Sequence, residues 1–67
     1  MSRATFLRDL KRYCKAQGLS FDFDPRHGKG GHGRVTVGDR FTTVQTELTK
    51  GRIESILKQL GLPKDAV

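Results

Sequence analysis

The chain has little of what would brace it covalently or hold it in a membrane. One cysteine, Cys14, stands among 67 residues, and a lone thiol excludes an internal disulfide. No apolar run reaches the length of a membrane span, and the opening Met1-Ser2-Arg3-Ala4-Thr5-Phe6 lacks the hydrophobic segment of a signal peptide. A cytoplasmic location with no membrane partner is therefore the expectation. Only Cys14, His27 and His32 offer thiolate or imidazole ligands, and no pair of them has zinc-site spacing, so no metal and no other cofactor is expected. Acidic residues are scarce too: 7 against 13 Lys and Arg, a net charge of +6. That imbalance favours a polyanionic partner such as nucleic acid. The length leaves no room for a second domain. With no repeat or linker, residues 1–67 read as one domain, of which 64–67 are expected to form a loose tail.

What is present is strongly patterned. From Thr5 to Gln17 the residues Phe6, Leu7, Leu10, Tyr13 and Cys14 recur at helical spacing, and Gly18 stops the helix. Cys14 in that stripe reads as a small buried hydrophobe. The opposite face carries Arg8, Lys11, Arg12 and Lys15, a positive stripe suited either to solvent or to an anionic partner. Leu19 to Asp24 alternates apolar and polar as a half-buried strand does, and Pro25 closes it. Arg34–Val37 and Arg40–Val44 then form two strands joined by Gly38-Asp39, which suits a type II′ turn. The last element is fully punctuated. Thr49 caps it, Leu48 can staple onto Ile53, and Ile53, Ile56, Leu57 and Leu60 make its buried stripe. Gly61 stops it, Leu62 folds back and Pro63 prevents continuation, which predicts a helix over Lys50–Leu60. The order helix, three strands, helix predicts an α+β fold: a three-stranded antiparallel sheet with both helices on one face, as in double-stranded-RNA-binding domains.

The segment Arg26-His27-Gly28-Lys29-Gly30-Gly31-His32-Gly33 holds four of the eight glycines and no aliphatic side chain, and reads as a loop between strands. Beside so bare a backbone, His32 can approach a bulky phosphodiester. Its imidazole can take the proton of a ribose 2′-hydroxyl or give one to the departing 5′-oxygen, roles worth about 10²- to 10⁴-fold in rate. The nucleophile is then the substrate's own hydroxyl, so this chemistry needs no metal. Lys29 and Arg34 flank His32 and can hold phosphate oxygens; His27 and Arg26, at the loop entrance, are further candidates for phosphate contact. A second anion site is suggested by Lys50-Gly51-Arg52, because the first turn of a helix presents unpaired N–H groups. A nucleotide-binding P-loop at Gly28-Lys29 is excluded: no glycine precedes it at the required spacing and no Ser or Thr follows the lysine.

Two stretches carry a family resemblance: Gly30-Gly31-His32-Gly33-Arg34-Val35-Thr36-Val37, and the run Glu47 to Leu62 with Thr49-Lys50-Gly51-Arg52-Ile53-Glu54 at its head. They resemble the HicA toxins, the RNA-cleaving halves of bacterial HicA and HicB toxin-antitoxin pairs. The similarity spans Leu7 to Leu62, and the final-helix signature is its most specific part. The resemblance implies a double-stranded-RNA-binding-like fold, His32 in the catalytic position, and metal-independent endonucleolytic cleavage of messenger RNA. It also implies a HicB-like antitoxin as partner, a chain that is a monomer alone or a hetero-oligomer with that antitoxin, and a bacterial or phage origin. Gly31 stands where the family commonly has serine. Two other readings fit the same residues: a non-catalytic RNA-binding module or inactive toxin-fold protein, and a protein-interaction domain that uses the first helix's basic stripe to hold an acidic antitoxin.

Overall fold

A computed structural model describes residues 2–25 and 32–67. The elements follow in the order α1 (Arg3–Gln17), β1 (Phe21–Asp24), β2 (Gly33–Val37), β3 (Arg40–Val44) and α2 (Lys50–Gln59). The strands form one antiparallel sheet in the order β1-β2-β3, with Phe23 opposite Val35 and Val35 opposite Thr42. This is the predicted α+β arrangement.

One apolar core joins the sheet to both helices. α1 contributes Phe6, Leu10 and Cys14, β2 contributes Val35 and Val37, β3 contributes Val44, and α2 contributes Ile56 and Leu57; all are buried. Because the inward residues of β2 alternate with the half-exposed Arg34 and Thr36, both helices lie on a single face of the sheet. Each fully buried Val, Leu or Phe contributes about 1.5–3 kcal/mol. At this size that core has little surplus, so the ends of the elements matter.

Those ends are chemically specified. Ser2 caps α1, its hydroxyl accepting from the Thr5 backbone N–H at 3.3 Å. The helix accordingly starts at Arg3, two residues before the position that apolar spacing indicates. Gly18 takes a left-handed φ of 71°, and the Leu19 N–H donates to the Cys14 carbonyl at 2.8 Å. This closure uses Leu19 to finish the helix, so β1 begins at Phe21 rather than at Leu19. Thr49 caps α2 by accepting from the Arg52 N–H at 3.2 Å. At the other end Gly61 has φ 74° and the Leu62 N–H donates to the Leu57 carbonyl, the same stop as in α1. Gly38 has φ 62° while Asp39 does not have positive φ, which agrees with the type II′ connection.

The C-terminal segment departs from expectation. Instead of a loose tail, Ala66 and Val67 lie half-buried against the core, and the Ala66 N–H donates to the Pro63 carbonyl. The Leu62 turn returns the chain to the core, where apolar surface is available to cover.

Candidate functional site

The topology gathers several sequence-predicted residues at one end of the sheet. β2 starts there with Gly33, paired with Val44 at the end of β3. Six residues after Val44 the chain enters α2. The start of α1 is tied to the same connection, since the Arg3 N–H donates to the Thr46 carbonyl at 3.2 Å and Ser2 bridges to Glu47. The N-termini of both helices therefore share this end with His32, the residue before β2. Neither helix has an acidic residue in its first turn, so the partial positive charge of each helix start is not offset locally.

His32 is half-buried, with no hydrogen bond or ion pair to another described residue. Lys50 and Arg52 project from the first turn of α2 and are exposed. Arg34 lies on the sheet face away from the helices, its guanidinium 4.2 Å from the centroid of the Phe41 ring. The ring leaves the guanidinium edges available to a phosphate. Arg26, His27 and Lys29 lie outside the described residues, as do Gly30 and Gly31. Asp24 and Glu47 are the acidic residues at this end, against Arg3, Arg34, Lys50 and Arg52.

Gly33 has a structural task of its own. A Cβ at this position would lie 2.6 Å from two carbons of the Phe23 ring and 3.1 Å from the Asp24 carbonyl oxygen. The guanidinium of Arg3 stands over the same Phe23 ring, 5.2 Å from its centroid. The bareness of the backbone after His32 thus serves packing of β1 onto β2.

The stripe on α1 is as expected: Arg8, Lys11, Arg12 and Lys15 are all exposed. Arg8 pairs with its neighbour Asp9 at 3.3 Å, a surface contact worth little. Cys14 is fully buried and free, and burial pushes its thiol above the ordinary range, the opposite of what a reactive cysteine needs. Among the described residues no cavity opens, and no group of three His, Cys, Asp or Glu side chains could hold a metal. No described helix is long and apolar enough to cross a membrane.

Two residues escaped the sequence reading, Arg3 at this end and Phe41 toward the hairpin. Arg3 was discoverable through Ser2, whose capping role extends α1 backwards. Phe41 was discoverable by parity, since an inward Val44 puts Thr42 inward and Phe41 outward.

Comparison of the chain with protein-family models, with curated proteins and with solved structures finds no match.

Proposed function

We propose that the protein is a HicA-like endoribonuclease, the toxin of a toxin-antitoxin pair, in which His32 is the catalytic acid or base and messenger RNA is the substrate. The observation that carries this reading is the company His32 keeps. A partly exposed imidazole precedes β2 at the end of the sheet where both helices begin, and Lys50 and Arg52 are exposed in the first turn of α2. Unpaired N–H groups and cations suit backbone phosphates, and an imidazole can accept a proton at one nitrogen and donate one from the other.

In this mechanism the ribose 2′-oxygen attacks the adjacent phosphorus. The O2′–P bond forms, the P–O5′ bond breaks, and the products are a 2′,3′-cyclic phosphate and a 5′-hydroxyl. His32 takes the 2′-hydroxyl proton or supplies the one that the leaving 5′-oxygen acquires, with water serving the other proton. Lys50, Arg52 and Arg34, together with Arg26, His27 and Lys29, hold phosphate oxygens and offset the charge that grows on the phosphorane. An acidic, HicB-like antitoxin covering this end would block the strand's path by charge complementarity.

A second reading, RNA binding without cleavage, is favoured by one observation: no described residue orients the His32 ring through a hydrogen bond. The His32→Ala variant decides between them. Cleavage of a messenger RNA should fall by about 10²- to 10⁴-fold, while the thermal midpoint and salt-sensitive RNA binding stay near wild type. Equal cleavage by the variant eliminates the nuclease. A wild-type protein that binds RNA and leaves it intact establishes the second reading.

A further inference from the structure

Both helices cover one face of the sheet, and no described helix packs on the other. It presents Asp22 and Asp24 from β1, Arg34 and Thr36 from β2, and Phe41 and Thr43 from β3, the residues that alternate with the inward Val35, Val37 and Val44. Phe41 is 59% exposed, the most exposed large hydrophobic among the described residues. An exposed phenylalanine alone signifies little. This one is held under a cation: Thr36 lies opposite Phe41 in the register, Arg34 is its diagonal neighbour, and the guanidinium sits 4.2 Å from the ring centroid.

The size of the patch argues against a protein occupant. One aromatic ring and two threonine methyl groups fall far short of the roughly 800 Å² that each partner buries in a stable protein complex. A single aromatic does match a single nucleobase, because every base has a π-face, and a guanidinium beside it serves both stacking and phosphate contact. Charge then sets the direction. Asp22 and Asp24 border the patch on the β1 side, Asp24 directly opposite Arg34, and repel a polyanion there. The permissive path runs along β2 and β3. Arg34 follows His32, the residue before β2, by two positions, a span of at most about 7 Å of extended chain, so a nucleotide near the one whose phosphate meets His32 is within reach of Phe41.

We propose that the Arg34–Phe41 pair is a stacking platform for one unpaired base of single-stranded RNA, which gives this protein a preference for single strands over duplex. The inference rests on the reading of the chain as an RNA-binding nuclease, and it adds a substrate class to that reading. A duplex keeps its bases stacked inside and has none to offer the ring.

The test uses a 2′-O-methyl oligonucleotide, which lacks the nucleophilic hydroxyl and cannot be cut, as a single strand and as a duplex of the same sequence. Affinities are read by fluorescence anisotropy for the wild type and for Phe41→Ala, Phe41→Leu and Phe41→Trp. Phe41 is exposed, so these variants leave the core intact, and an unchanged thermal midpoint verifies it. Phe41→Ala should weaken single-strand binding by about 5- to 150-fold, Phe41→Leu should lose most of the same increment, and Phe41→Trp should bind at least as well as wild type. Duplex affinity should not move. Wild-type single-strand affinity in Phe41→Ala, or an equal loss for the duplex, overturns the platform, as does a Phe41→Leu variant that binds like wild type. Dependence on Phe41 in a protein that leaves unmodified RNA intact keeps the platform and removes the nuclease; a wild type that binds neither probe removes both.

Discussion

The Phe23 ring occupies the space in which any residue other than glycine at position 33 would carry its Cβ, with two ring carbons 2.6 Å from that point. Phe23 and Gly33 are diagonal neighbours across β1 and β2, and Gly33 follows His32 directly. Gly33→Ala must therefore displace the ring or lift the start of β2. Overpacking of this kind costs about 1–3 kcal/mol, offset in part by the roughly 0.5–1 kcal/mol that alanine gains over glycine in chain entropy. A net loss of about 1–2 kcal/mol is expected in urea denaturation. In a Phe23→Leu background the same substitution should cost less, because the smaller side chain vacates the contested volume; a double-mutant cycle with no coupling would show that the two residues do not compete. If His32 is the catalytic imidazole, Gly33→Ala at the adjoining strand start should also lower RNA cleavage more than its stability loss explains.

The first turn of α2 gives a separate handle on the candidate site. Lys50 and Arg52 are exposed and their helix start carries no acidic residue, so removing either costs the fold little. If each neutralises one phosphate, then Lys50→Ala and Arg52→Ala should each flatten the slope of log affinity against log salt by about 0.7 for a single strand. Affinity should fall evenly across sequences, because phosphate contacts carry no base information. A slope identical to wild type in both variants would take this helix start out of the interface. Substitution of Lys11 and Arg12 on the solvent face of α1 is the comparison: an equal loss there would mark general charge attraction rather than a site.

How far the sequence could be read depended on whether a signal was local. Gly18, Gly38 and Gly61 announced two helix stops and a hairpin, and all three have positive φ, because the requirement for a left-handed residue acts over a few bonds. The caps at Thr49 and the stripe of α2 were legible for the same reason. Leu19 was not. Its alternation with Phe21 and Phe23 placed it in β1, but its N–H is taken by the Cys14 carbonyl and its side chain ends 38% exposed. Two local patterns overlapped there and the helix stop prevailed. Ala66 and Val67 failed differently: nothing in Lys64–Val67 itself indicates burial, which comes from the apolar surface to which the Leu62 turn returns the chain. At the candidate site, sequence singled out His32, Lys50 and Arg52 by chemical type, while their sharing one end of the sheet follows from strand register and from the Arg3 to Thr46 hydrogen bond, neither of which is local.

Cys14 leads to a prediction about alkaline stability that is independent of function. Its thiol is fully buried, and burial raises its proton affinity above that of the unfolded chain. At neutral pH both states hold the proton and the fold keeps its full stability. As pH rises past the unfolded thiol's range, the unfolded chain ionises first, binds fewer protons than the native state, and stability declines until the folded thiol also ionises. Urea midpoints should therefore drop more steeply above about pH 8.5 for the wild type than for Cys14→Ala, although the variant starts lower because of the small cavity it creates. Every other ionisable group is common to both proteins, so the difference between the two slopes isolates the thiol. Parallel slopes would mean that Cys14 is reached by solvent in the native state, and rapid reaction with a thiol reagent under native conditions would then accompany them.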